Sequence, residues 1–324
     1  MILQDQHGRA FGYARIALID HCNLRCNYCM PENGLTWIKK DQGWQSNEVE
    51  KLLQLLKDWG IEKLRFTGGE PMIRSDFNDI ISFAHSLEFK HIGVTTNGTL
   101  IQDAQDSFTS GQIHKANVSL DTIDSNRFIK ITRRDHFQKV WDNIQWLSDN
   151  QIPFRINTVL LGDTTEEELM SMIALAHRNQ WNWCFIEEMP FNGQGTEPNR
   201  KWTPHRFHTL IQEHQKELSP MPFQPGDTAQ YFEWPGGGRI GFIAAWSRTF
   251  CGTCNRLRIT PEGHLHYCLY SNKAFPILNK IRSGLNDAQL LMEVQSFLLN
   301  KPLTGIESEK ESNEHLPSMA KIGG

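Results

Sequence analysis

ARIALIDHCNLRCNYC, residues 14 to 29, runs from a β-rich segment straight into Cys22, Cys26 and Cys29, three cysteines spaced by four and three. The run ARIALI predicts a strand over 14–19. A loop that follows a strand in a parallel α/β fold lies at the strand's carboxyl end, where such folds gather their chemistry. Further β-rich runs follow at 63–67, 91–96, 115–120, 153–159 and 183–189. Amphipathic helices separate them. Val49, Leu52, Leu53, Leu56 and Trp59 make one apolar stripe, and Phe137, Val140, Trp141, Ile144 and Leu147 make another. A third helix begins at Thr164 or Thr165, with Glu three residues on as in a capping box, and turns Leu169, Met172, Ile173 and Ala176 inward. The expectation is six parallel strands with crossover helices, covered on both faces, either curled into a barrel or left open. The Gly-, Pro- and Asn-rich stretch 190–204 reads as a linker, so residues 1–200 and 201–324 are expected as two domains. The second mixes a helix at 205–218 with short strands.

Composition narrows the chemistry. The 324 residues carry a net charge of −4, which offers no global attraction to nucleic acid or anionic lipid. No apolar run approaches the roughly 20 residues of a membrane helix, and no targeting segment is visible, so a cytoplasmic protein is expected. Six of the seven cysteines fall into two trios, 22/26/29 and 251/254/268. Odd-numbered groups suit metal ligation better than disulfides. Structural zinc takes four protein ligands, and iron–sulfur clusters also normally take four thiolates. A trio leaves one iron open to another ligand.

CNLRCNYC, with Tyr28 just before its last cysteine, resembles the radical S-adenosylmethionine (SAM) superfamily motif CxxxCxxC. The resemblance implies a four-iron, four-sulfide cluster on Cys22, Cys26 and Cys29 whose open iron takes the amino and carboxylate groups of SAM. Reductive cleavage then gives a 5′-deoxyadenosyl radical. TGGEP (67–71) resembles the superfamily's glycine-rich contact to the methionine amino group, with Gly69 on the cofactor and Glu70 as an anionic neighbour.

FCGTCNRLRITPEGHLHYCLY (250–270) carries the second trio and resembles the GTP 3′,8-cyclase family, which opens molybdenum cofactor biosynthesis. The likeness runs from GRAFGYARIALIDHC through TTNGTL and NVSLD to the terminal IGG. It implies an incomplete (βα)6 barrel closed by a C-terminal α+β domain, with a second four-iron cluster on Cys251, Cys254 and Cys268 facing the purine of GTP. By position, Arg15, Arg65, Thr95, Arg155, Arg256, Leu257 and Arg258 match substrate contacts, and Tyr28, Gly69, Ser119 and Met189 match SAM contacts. The resemblance further implies that Gly323 and Gly324 reach into the active site beside the catalytic Arg15, Arg256 and Arg258. The expected product is 3′,8-cyclo-7,8-dihydro-GTP, consumed by a cyclic pyranopterin monophosphate synthase. An external electron donor is required, and the family suggests a homodimer.

The basic residues point to a polyphosphate independently. Arg15, Lys63, Arg65 and Arg155 sit inside predicted strands among apolar neighbours; facing a lumen, they would need a countercharge. Arg256 and Arg258 alternate with Leu257 and Ile259 and so share one face. Two positions depart from the family. Arg155 stands where it has Lys, and Cys184, expected to be a buried packing residue, stands where it usually has a substrate-facing Arg. The histidines show no metal-ligand spacing, the tryptophans read as core or rim, and ESEKESNEH (307–315) reads as a solvated segment. The rival readings are a radical SAM peptide-modifying enzyme and a zinc-binding scaffold.

Overall fold

The computed structural model describes residues 2–31, 34–39, 41–191, 200–224, 226–311 and 318–323. The first part of the chain alternates strand and helix: β1 (Tyr13–Ala17), α1 (Ser46–Asp58), β2 (Lys63–Thr67), α2 (Phe77–Ser86), β3 (His91–Thr96), α3 (Gln105–Thr109), β4 (Lys115–Ser119), α4 (Ser125–Thr132), α5 (Phe137–Asp149), β5 (Phe154–Leu160), α6 (Glu166–Arg178) and β6 (Asn182–Glu187). Then come α7 (Pro204–His214), β7 (Ser219–Pro220), β8 (Ala229–Glu233), β9 (Arg239–Ile243), β10 (Arg256–Ile259) and β11 (Leu265–His266). Four helices finish the chain: α8 (Ile277–Arg282), α9 (Asp287–Leu298), α10 (Gly305–Lys310) and α11 (Met319–Ile322).

All six expected strands form and pair in parallel from β1 to β6. The C-terminal part does more than cap them. It lends β10 to the free edge of β1 and β9 to the free edge of β6, both parallel, inside one sheet ordered β11-β10-β1-β2-β3-β4-β5-β6-β9-β8-β7. Residues 201–324 therefore extend the wall of the partial barrel at both edges, a continuity that short runs such as RLRI and RIGFI do not announce. The 190–204 stretch falls largely outside the described residues, at 192–199.

Period-two alternation sorts the side chains. Ala14, Ile16, Leu64, Phe66, Ile92, Val94, Ala116, Val118, Ile156, Leu257 and Ile259 are fully buried on the outer face, against helices whose own apolar stripes are buried. The opposite positions carry Tyr13, Arg15, Arg65, Thr95, Asn117, Ser119, Arg155 and Asn157. The hydrophobic core thus lies between sheet and helices, and the barrel interior is polar. Thr165 caps α6 by accepting from the Glu168 backbone N–H at 3.1 Å, but Glu168 does not close the expected box; its carboxylate accepts from Thr122 Oγ1 at 2.7 Å. The 307–315 stretch is more than a solvated segment in its described part. Glu307 closes a capping box on Thr304, Glu309 pairs with Arg248 at 2.6 Å, and Glu311 pairs with Lys273 at 2.6 Å.

Candidate active site

The polar interior encloses a cavity of about 460 Å³ whose lining includes all six trio cysteines. Around it stand Arg15, Arg65, Arg155, Arg256 and Arg258 with Tyr28, Gly69, Thr95, Ser119 and Met189. Segments from both ends of the chain meet here because β1 pairs with β10: Arg15 lies opposite Arg65 on one side and Arg258 on the other.

At the first trio, Gly68 and Gly69 press backbone to backbone on the segment 19–21 that leads from β1 to the cysteines. Gly69 N–H donates to the Ile19 carbonyl at 2.7 Å, and Glu70 N–H donates to that of His21 at 2.8 Å. A Cβ at Gly68 would strike the Ile19 carbonyl, and one at Gly69 those of Asp20 and His21. Glu70 itself turns away from the lining. Its buried carboxylate accepts from Asn97 N–H at 2.7 Å, Thr96 Oγ1 at 2.9 Å and Met72 N–H at 3.2 Å, so it braces the end of β3 instead of presenting an anion to the cavity. Burial nevertheless pushes its carboxyl up to about 7. Tyr28 donates to Asp121 Oδ2 at 2.8 Å, and Val159 N–H fixes the other Asp121 oxygen at 2.8 Å.

Cys22 Sγ accepts from Leu24 N–H at 3.4 Å and from Asn97 Nδ2 at 3.6 Å. At Cys29 the C-terminal tail closes in: Ser318 Oγ donates to the Cys29 carbonyl at 2.5 Å and itself accepts from Ala320 N–H at 3.3 Å. At the second trio, the backbones of Gly305 and Arg256 favour the thiolate forms of Cys251 and Cys254 respectively. A Cβ at Gly305 would come within 3.2 Å of the Cys251 sulfur. N–H donors aimed at sulfur are what thiolates bound to iron require. Without a metal, burial pushes the Cys22 thiol up to about 11 and that of Cys29 to about 12. Metal coordination holds such groups as thiolates. Among the described residues no three Cys, His, Asp or Glu side chains close on a single ion. Both trios fit an iron–sulfur cluster by their donor chemistry.

The cations are held by a belt of hydrogen bonds that sequence reasoning missed. Arg65 Nε donates to Tyr13 Oη at 2.7 Å, and its Nη1 to the Val94 carbonyl at 3.0 Å. Arg155 Nη1 donates to Tyr231 Oη at 2.6 Å. Between them, the Asn117 side-chain oxygen accepts from Arg155 Nη2 at 2.9 Å and Arg65 Nη1 at 3.3 Å. Two glycines make room. A Cβ at Gly93 would lie 2.9 Å from Arg65 Nη2, and one at Gly241 would lie 2.7 Å from the Tyr231 ring. Among the described residues Thr95 Oγ1, Asn157 Oδ1 and Arg155 Nε are buried without a hydrogen-bond partner, which fits a cavity built for a polar ligand. Period two from Arg15 would have found Tyr13; nothing local flags Tyr231.

Besides Glu70, two expected contacts fall elsewhere. Lys63 shares the inward face but sits exposed at the amino end of β2, away from the lining. Leu257 is fully buried on the outer face, because Arg256 and Arg258 take the inward positions. Gly324 lies outside the described residues, whereas the Gly323 carbonyl accepts from Arg258 Nη1 at 2.7 Å. Cys184 is fully buried, in register with Asn157 and Gly241, and its nearest charged groups are Arg155, Lys115 and Arg239.

Residues 16–176 match the Radical SAM superfamily, and residues 181–305 match the Molybdenum Cofactor Synthesis C family. The fold is shared with the crystal structure of Streptococcus suis SuiB bound to S-adenosylmethionine, at a TM-score of 0.60 and 15% identity, over 90% of this chain and 69% of that one. The chain is thus a radical SAM protein with an auxiliary Molybdenum Cofactor Synthesis C region. It is 34% identical to GTP 3′,8-cyclase of Clostridium perfringens (strain SM101 / Type A), over 99% of this chain and 100% of that protein. Molybdenum cofactor biosynthesis protein 1 of Homo sapiens is 37% identical over 89% of this chain and 46% of its own length. This chain belongs to the GTP 3′,8-cyclase family.

Proposed function

We infer that the chain is a radical SAM GTP 3′,8-cyclase acting in molybdenum cofactor biosynthesis. The observation that carries this reading is the single cavity on which both cysteine trios and five arginines converge, in a chain related end to end to a GTP 3′,8-cyclase. Cys22, Cys26 and Cys29 hold one four-iron, four-sulfide cluster, and Cys251, Cys254 and Cys268 hold a second. When bound, the first cluster would supply the electron for reductive cleavage of SAM, and the second would supply iron as a ligand site for the substrate. The remaining work belongs to this chain's own side chains. Gly69, Ser119, Tyr28 and Met189 hold SAM over the first trio. Arg15, Arg65, Arg155, Arg256 and Arg258, with Thr95, neutralise and orient the triphosphate of GTP, whose charge supplies the counterion that buried guanidiniums need. That orientation presents the ribose C3′ hydrogen to the first trio's side of the cavity and purine C8 to C3′, the two carbons joined in 3′,8-cyclo-7,8-dihydro-GTP. Gly323 approaches as bare backbone and is held by Arg258.

The product passes to a cyclic pyranopterin monophosphate synthase, an external donor supplies the electrons, and a homodimer is the expected assembly. None of the described helices is long and apolar enough to cross a membrane. The deciding experiment is anaerobic incubation of reconstituted protein with GTP, SAM and dithionite, read by product mass spectrometry. Formation of 3′,8-cyclo-7,8-dihydro-GTP with 5′-deoxyadenosine is expected. Cofactor cleavage that leaves GTP intact, but modifies a peptide, would favour the peptide-modifying rival.

A further inference from the structure

Two cations reach the backbone of the second cysteine loop, Arg9 from the residues ahead of β1 and Lys301 from the turn after α9. Arg9 Nη1 donates to the Cys251 carbonyl at 2.9 Å, and its Nη2 to that of Pro302 at 2.7 Å. Lys301 Nζ donates to the Cys254 carbonyl at 2.8 Å and lies 4.7 Å from the centre of the Phe11 ring. Both cysteines of CGTC are therefore gripped through their own carbonyls.

The two cations differ in what neutralises them. Asp5, fully buried, binds Arg9 Nε at 2.5 Å, so Arg9 carries its own counterion and acts as a mechanical clamp. Lys301 is 3% exposed and has no carboxylate within ion-pair distance among the described residues. A buried ammonium is strongly disfavoured unless an anion faces it. The acidic groups around it are the sulfurs of Cys254 and Cys268 and the Asp5 carboxylate, which Arg9 already engages. As thiolates around iron, the two sulfurs would become a permanent countercharge.

We propose that Lys301 is the built-in counterion of the second iron–sulfur cluster, raising its reduction potential and securing its retention, while Arg9 positions the loop. The proposal rests on the reading that Cys251, Cys254 and Cys268 hold such a cluster. Its physical basis is simple. One electron delivered by an external reductant adds a negative charge beside a fixed positive one, so the reduced form gains more from Lys301 than the oxidised form does.

The test is an EPR-monitored redox titration of the two-cluster protein with dithionite, the second cluster's wave being assigned by its loss in Cys251→Ala. Lys301→Met and Lys301→Gln should each lower that midpoint, by about 59 mV for a tenfold loss of the one-electron reduction equilibrium, and leave the first cluster's wave in place. Lys301→Arg should stay near wild type. Gln keeps a donor for the Cys254 carbonyl, so a shift in Met alone would assign the effect to the hydrogen bond and overturn the proposal. Unmoved midpoints in both neutral variants would overturn it too. If the neutral variants lose the second cluster's iron, retention by Lys301→Arg supports the counterion role, and loss there as well refutes it. Wild-type protein binding about four irons instead of eight would mark a failure of the two-cluster reading itself.

Discussion

Arg258 Nη1 donates to the Gly323 carbonyl at 2.7 Å, tying the end of the described chain to the strand that carries the second trio's arginines. The tail is anchored at its other end as well, since Ser318 Oγ donates to the Cys29 carbonyl at 2.5 Å. One short segment therefore spans the cavity from the first cysteine loop to Arg258. Gly323 has φ +86°, and a Cβ there would lie 2.7 Å from the Ala17 Cβ. Gly323→Ala should unseat the tail, with strain of about 1–3 kcal/mol translating into roughly a ten- to hundredfold loss of GTP conversion. Iron content, melting temperature and basal 5′-deoxyadenosine release should stay near wild type, and full cyclase activity in the variant would contradict the assignment. Deleting Gly323 and Gly324 together is the stronger form of the same test.

The two trios should separate by function. Replacing Cys22, Cys26 and Cys29 by Ala should abolish SAM cleavage, whereas replacing Cys251, Cys254 and Cys268 should leave cleavage detectable and block GTP conversion. Each variant should retain about four of the eight irons of the intact protein. Equal loss of both activities in folded protein would argue against this division.

What the sequence disclosed and what it hid follow from the range of the interactions. Strands such as KLRFT, the helix stripes and the cysteine trios are local patterns, and each is found where its period or spacing placed it. The same period-two rule that brings Arg65 inward also brings Lys63 inward, but exposure depends on height in the barrel, which a strand's own sequence does not encode. Likewise, Glu70 was legible as a polar residue beside two glycines, yet its role as a brace depends on Asn97 N–H, supplied by the next strand. Lys301, Arg9 and Tyr231 meet their partners across 47, 242 and 76 residues, distances over which no spacing rule operates.

Tyr13 predicts a pH dependence. Burial raises its phenol, but Arg65, Arg15 and Arg256 outweigh this and lower it from its ordinary 10.0 to about 8. Folding thus favours the phenolate, so this group's contribution to stability grows as pH rises from about 8 to about 10 and is lost on falling back through 8. A triphosphate competes for the same arginines and repels the phenolate. GTP affinity should therefore fall as pH rises above about 8, and Tyr13→Phe should flatten the profile. Calorimetric titrations of GTP across this range check it; a wild-type affinity independent of pH would refute it.

Gly93→Ala isolates the Arg65 contact without touching its charge. The added methyl lies 2.9 Å from Nη2 and 3.0 Å from Cζ, so the guanidinium must lift off β3. Loss of one charge-assisted hydrogen bond is worth about 1.5–3 kcal/mol, or roughly ten- to a hundredfold in GTP affinity. SAM affinity should be unchanged, which equilibrium binding of each ligand will decide.

Cys184→Arg tests a position where the family resemblance leads one to expect an arginine. The side chain would join Arg155, Lys115 and Arg239, the charged groups nearest the thiol. Burial and these neighbouring cations, Arg155 first, already lower the Lys115 ammonium to about 8, so a further guanidinium enters a layer short of anions. In ligand-free protein the variant should lose about 3–5 kcal/mol, the scale of an uncompensated buried charge. GTP should reverse that loss, because its triphosphate binds the folded state and supplies the missing countercharge. Thermal unfolding should therefore show a lower melting temperature without GTP and a larger GTP-induced rise than in wild type, with affinity tighter by roughly ten- to a hundredfold. Equal stability and equal affinity would mean that residue 184 does not act on the triphosphate. If neither protein binds GTP while both clusters are in place, the substrate assignment fails.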